Sequence, residues 1–177
     1  MIHTDYDLDA LTVLLREDCL IQRYRPLISC REQLLSGLRR LGCRTKCDAA
    51  RLSDDALRQS GLPDDGMIRL FRQFLDLYEP GPQKLRELAK LCVDPAEQEA
   101  YRELYHLPGV RQVRAALYLR SGYRSLAALA DADADEVIRR TAAVIDRDSL
   151  PCAVPLPKEV RTHIAVAKAF TGKTDGE

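Results

Sequence analysis

The chain has no tryptophan, and aromatic residues make up only 6% of it. Leucine, alanine and arginine dominate instead, a composition that favours helices over sheets. No stretch alternates apolar and polar residues in the manner of a half-buried strand. Charge of either sign is also missing in net terms, with 27 basic against 27 acidic residues. Such a chain has no overall field with which to draw in a polyanion or an anionic lipid, so a nucleic-acid site has to be a local patch. No apolar run approaches the ~18 residues of a spanning helix. The first residues lack the charged start and apolar run of a signal peptide. The expectation is an all-α, cytoplasmic chain that does not engage a membrane.

Catalytic furniture is equally scarce. There is no glycine-rich phosphate loop of the Walker or dinucleotide type. The three histidines (His3, His106 and His163) are scattered, and no nucleophile stands with a base. His106 and His163 fit helix faces better than a site. The acidic run Asp131 to Glu136 lacks the glycine and distal glutamate of a calcium loop and reads as a helix start. These gaps predict a non-catalytic protein without a cofactor. The six cysteines (Cys19, Cys30, Cys43, Cys47, Cys92 and Cys152) show no disulfide-framework spacing.

What is present is a series of short helices. Leu8, Leu11, Leu15 and Cys19 recur at helical spacing behind the capping candidates Thr4 and Asp5, predicting an opening helix from Tyr6 to Leu20. Ser53 is a helix cap and Gly61 a stop. Pro63 is placed to begin a helix carrying Met67, Leu70, Phe71, Phe74 and Leu75 up to Tyr78. The EPGP run, Glu79 to Pro82, divides the chain into an N-terminal unit, 1–79, and a C-terminal unit, 83–177. Helices are expected at Gln83 to Cys92 and Pro95 to Tyr105. The prolines 151, 155 and 157 predict an extended, partly buried strap from Asp148 to Pro157. A last helix, Lys158 to Phe170, sets Val160, His163, Ile164, Ala167 and Phe170 on one face and Lys158, Arg161 and Lys168 on another.

Displacing the sequence by 80 residues aligns Leu27–Leu57 with Leu107–Val137. Seven of the 31 pairs are identical: Leu27/Leu107, Arg31/Arg111, Arg40/Arg120, Gly42/Gly122, Arg44/Arg124, Ala50/Ala130 and Asp55/Asp135. Thr45 and Ser125 fall together at an N-cap after the glycine, so the unit reads as helix, glycine turn, helix. Cys30, Cys43 and Cys47 fall opposite Val110, Tyr123 and Ala127. They read either as small buried hydrophobes or as a metal site in which CRTKC is joined by Cys30 or a histidine. The second pair that makes a zinc signature is missing.

The stretch LPGVRQVRAALYLRSGY, 107–123, followed by RSLAALADADADEVI, resembles the helix-hairpin-helix (HhH) family. Leu107, Pro108, Gly109, Val110 and Ala115 match its pattern, and Arg111 stands where a second glycine is expected. The lysine common after the hairpin is replaced by Val113 with Arg114 next to it. The resemblance implies two SAM-like helical units, the first degraded, with additional N- and C-terminal helices. It also implies sequence-independent binding of DNA backbone, in which a helix N-terminus and a glycine turn offer amide donors to phosphate. In the first copy Ile28, Ser29, Cys30 and Arg31 occupy the hairpin positions and neither glycine remains. The segment LGCRTKCDAARLSDDAL, 41–57, is also broadly similar to other small helical modules of this kind, such as the C-terminal domain of the RNA polymerase α subunit.

Basic residues gather where the repeat places its hairpins. Arg23, Arg25, Arg31, Arg39, Arg40, Arg44 and Lys46 lie with the single acid Glu32, and Arg111, Arg114, Arg120 and Arg124 lie with no acid among them. On a helix from Arg111 the spacing puts Arg111, Arg114 and Tyr118 on one face, a pair of phosphate contacts beside an aromatic platform. The expected nucleic-acid-binding set is Gly109, Val110, Arg111, Arg114 and Tyr118, with a further patch of Arg31, Arg40 and Arg44. The competing reading is a scaffold whose hairpins only pack helices, whose arginines make internal ion pairs and whose partner is a protein.

Overall fold

The computed structural model describes residues 5–16, 20–91 and 93–173. Among them the fold is all-helical, with eleven α-helices and one 3-10 helix, and the lone extended pairing is an isolated antiparallel bridge between Asp7 and Thr45. The helices are α1 (Ala10–Leu14), α2 (Arg31–Arg40), α3 (Lys46–Arg51), α4 (Asp54–Gln59), α5 (Asp65–Leu75), α6 (Pro82–Lys90), α7 (Pro95–Leu104), α8 (Gln112–Arg120), α9 (Leu126–Ala130), α10 (Ala134–Asp148) and α11 (Pro157–Thr171). The 3-10 helix, Gln22–Cys30, contains Pro26 and runs directly into α2.

Local chemistry explains most boundaries. Thr45, Ser53, Asp64, Asp94, Ser125 and Asp133 each accept a hydrogen bond from a first-turn amide of the helix that follows. α5 therefore begins after Asp64, two residues beyond the expected Pro63. Pro82 occupies the first turn of α6, where its missing N–H is no loss. Gly172, with φ of 70°, closes α11.

The opening helix is far shorter than its spacing predicts. Asp7 pairs with Thr45 instead, with Leu8 donating to the Arg44 carbonyl at 2.8 Å and Lys46 to that of Tyr6 at 2.9 Å, and a turn at Leu8 and Asp9 leads into α1. The Asp5 carboxylate accepts from the Cys47 amide at 2.9 Å and so serves α3 rather than its own helix. The proposed cap Thr4 and the apolar position Cys19 lie outside the described residues.

One apolar core runs from Tyr6 and α1 through α5 to α11. The last helix was expected to bury one face. It is buried nearly all round, including Ala165, Val166 and Ala169, because α1, α9 and α10 all pack against it. The scarce aromatics concentrate where the ends of the chain meet. Phe170 lies edge-on to Tyr6 at 5.6 Å and to Tyr78 at 6.1 Å, and 5.3 Å from the His106 ring. Among the described residues no helix is long and apolar enough to cross a membrane.

Candidate nucleic-acid interface

Between α7 and α8 the chain turns at Gly109, whose φ is +72°. Only glycine adopts this conformation without strain, and a Cβ here would meet nothing within 4 Å, so the turn faces open space. Leu107 and Val110, on either side, are fully buried and pin the turn to the core. Its carbonyls are drawn inward. Lys84 on α6 donates to those of Tyr105 (2.7 Å) and Leu107 (2.9 Å). His163 on α11 donates through Nε2 to that of Pro108 (2.8 Å).

The other ring nitrogen of His163 accepts from the Tyr118 hydroxyl at 2.6 Å, which fixes the imidazole as its neutral Nε2–H tautomer. Burial pushes the His163 pKa down to about 4. Burial likewise lowers that of Lys84 to about 8. With the carbonyls held inside, the turn leads into α8, whose N-cap residue Arg111 supplies no side-chain cap and whose first turn holds no acid. The first amides of such a helix lack intrahelical acceptors and carry the positive end of its dipole.

The expected site residues divide sharply. Gly109 and Arg111 are exposed at the turn, with the Arg111 side chain 54% accessible and paired with Glu87 of α6. Val110 contributes to the core, and its amide is spent on the Leu107 carbonyl at 3.2 Å. Tyr118 corrects the expected platform: it is fully buried against His163 and Tyr123, so no base can stack on it. Arg114 is only 21% exposed and joins Glu159 (3.0 Å) and the Ala153 carbonyl (3.0 Å), tying α8 to α11 and the strap. Arg111, Arg114 and Tyr118 thus form no common exposed face.

In the first copy, the 3-10 helix replaces the hairpin. Arg31 and Arg40 begin and end α2, roughly 13 Å apart along its axis. Arg40 and Arg44 are exposed and Arg31 is half-buried. The three do not converge on one feature. Acids brought from other segments also meet the second cluster, since Arg120 pairs with Asp148 and Arg124 with Glu97.

Residues singled out by the structure rather than by spacing are Glu87, Lys84 and His163, all of which act on the hairpin across long sequence separations. Lys84 and Glu87 carry no motif that would have found them. Exposed apolar residues include Leu85 on α6, Val113 in the first turn of α8, and Val154 and Leu156 in the strap. Cys30 and Cys43 are buried and Cys47 is half-buried. Cys30 lies 3.4 Å from the Leu27 carbonyl, and burial raises the thiol pKa of both Cys30 and Cys43. Among the described residues no group of three or more potential metal ligands comes together. Comparison with models of protein families, with curated proteins and with solved structures finds no match to this chain.

Proposed function

We propose that the chain is a non-catalytic, cytoplasmic module that binds nucleic acid through backbone phosphate, without reading bases, at the Gly109 turn and the start of α8. The observation that carries this reading is the exposed left-handed turn leading into an uncapped helix N-terminus beside the Arg111 guanidinium. The HhH resemblance of 107–123 supports it. So does the local geometry of the two aligned segments: Gly42 and Gly122 have φ of 79° and 93°, and Thr45 and Ser125 both cap the helix that follows. On this reading the chain holds two SAM-like units of which only the second keeps its hairpin.

Fluorescence anisotropy with single-stranded, duplex and branched DNA tests the proposal. Binding at low salt that weakens linearly in log K against log salt, and falls at least about tenfold in Arg111→Glu, supports it. A folded protein that binds none of the three at low salt overturns it. Arg114 is unsuitable as a probe because its guanidinium is engaged by Glu159 and the Ala153 carbonyl.

A second reading, a protein-docking module, is favoured by one observation. Leu85, Val113, Val154 and Leu156 are exposed, and Val113 is 60% accessible in the first turn of α8, directly after the hairpin. Retention of a protein partner that is lost in Val113→Asp, with no DNA binding, would establish it instead.

A further inference from the structure

We propose that Glu87 is a built-in competitor of the phosphate, a carboxylate seated on the Arg111 guanidinium where a backbone phosphate would sit. The inference rests on the phosphate-binding reading above and concerns the control of that site.

Three observations separate this contact from an incidental surface pair. The Glu87 side chain is only 23% exposed, less than half as accessible as its partner. Its second oxygen faces the Tyr105 hydroxyl at 3.4 Å. The helix that carries it is fastened to the hairpin one turn earlier, because the Lys84 ammonium bonds the Tyr105 and Leu107 carbonyls. The carboxylate is therefore held at the turn by the same helix that shapes the turn.

Carboxylate and phosphate present the same paired oxygens to a guanidinium fork. A nucleic acid reaching the end of α8 must displace Glu87 from Arg111 and then tolerate the released negative charge beside it. The groups facing Glu87 are Arg111, Lys84 and Tyr105, and the Arg111 guanidinium holds its carboxyl below the usual range. The competitor stays ionised throughout the neutral range, so its removal rather than a pH change is the informative perturbation. The net effect is a module whose resting affinity for polyanions is low and which releases them readily.

Anisotropy titrations of one fluorescent DNA duplex at low salt, with wild type, Glu87→Gln, Arg111→Ala and the double variant, test this directly. Glu87→Gln is expected to tighten binding about three- to fivefold, the upper part of the range of a partly exposed ion pair, and to steepen the salt dependence. In the Arg111→Ala background the same change is expected to gain nothing. If wild type binds and Arg111→Ala weakens it, yet Glu87→Gln binds no tighter, the competitor is overturned and the phosphate site stands. An equal gain with and without Arg111 also overturns it, because the gain is then that of one fewer negative charge. If no variant binds, the phosphate reading fails and the competitor fails with it. Circular dichroism of each variant verifies that all four are folded.

Discussion

At the residue scale, the decisive group is His163. Its neutral ring joins the buried Tyr118 on α8 to the half-buried Pro108 carbonyl of the hairpin. Replacing it disturbs the bond to a buried hydroxyl and a half-buried carbonyl, so His163→Gln is expected to cost about 1–3 kcal/mol in urea denaturation at pH 7.5. The same residue confers acid sensitivity. In the unfolded chain a histidine protonates near 6.5, whereas in the fold it stays neutral down to about 4. As pH falls through 6.5 the unfolded state takes up a proton that the fold refuses. Stability therefore drops until about pH 4, by roughly 3 kcal/mol in all. His106 adds to this in the same direction, since burial also lowers its pKa while Nδ1 bonds the Tyr78 carbonyl. The loss of stability between pH 7.5 and 4.5 should be markedly smaller in His163→Gln than in wild type. An identical pH dependence in the two proteins would contradict the assignment.

At the scale of the elements, glycines make two different demands. Gly109→Ala introduces no clash and only a left-handed backbone penalty, expected at about 1 kcal/mol. Gly37→Ala would drive a Cβ into the Ser60 backbone, so α2 and the end of α4 must part, at about 3 kcal/mol. Thermal melts of the two variants should rank in that order. Helix boundaries were largely legible in the sequence where a cap decides them, as at Ser53 and Asp94, because the cap bonds an amide two or three residues away. They were illegible where a distant segment decides them. The opening helix is shortened by backbone bonds to residues 44–46, which no local spacing reveals. The site divided along the same line. Gly109 announced its turn, but helical spacing could say only that Tyr118 shares a face with Arg114, not that α11 covers it. The arginines looked unopposed because their acids stand 24 residues away for Arg111 and 45 for Arg114.

At the scale of the whole molecule, α11 holds the arrangement together. It packs against α1 in the first part of the chain and α9 and α10 in the second, and it carries both His163 and the Glu159 that anchors Arg114. Ending the chain at residue 156 should abolish cooperative unfolding by circular dichroism across the whole protein. An unchanged first transition in that truncation would mean that the N-terminal helices stand alone. The central claim is that the exposed end of α8 meets phosphate. The most direct test is a two-dimensional 15N–1H NMR titration of the full chain with a short DNA duplex at low salt. The account predicts that the amides of Gly109, Arg111, Gln112 and Val113 shift most and return as salt is raised. Unperturbed amides there, with either no shifts anywhere or shifts confined to the Arg40 and Arg44 region, would contradict it.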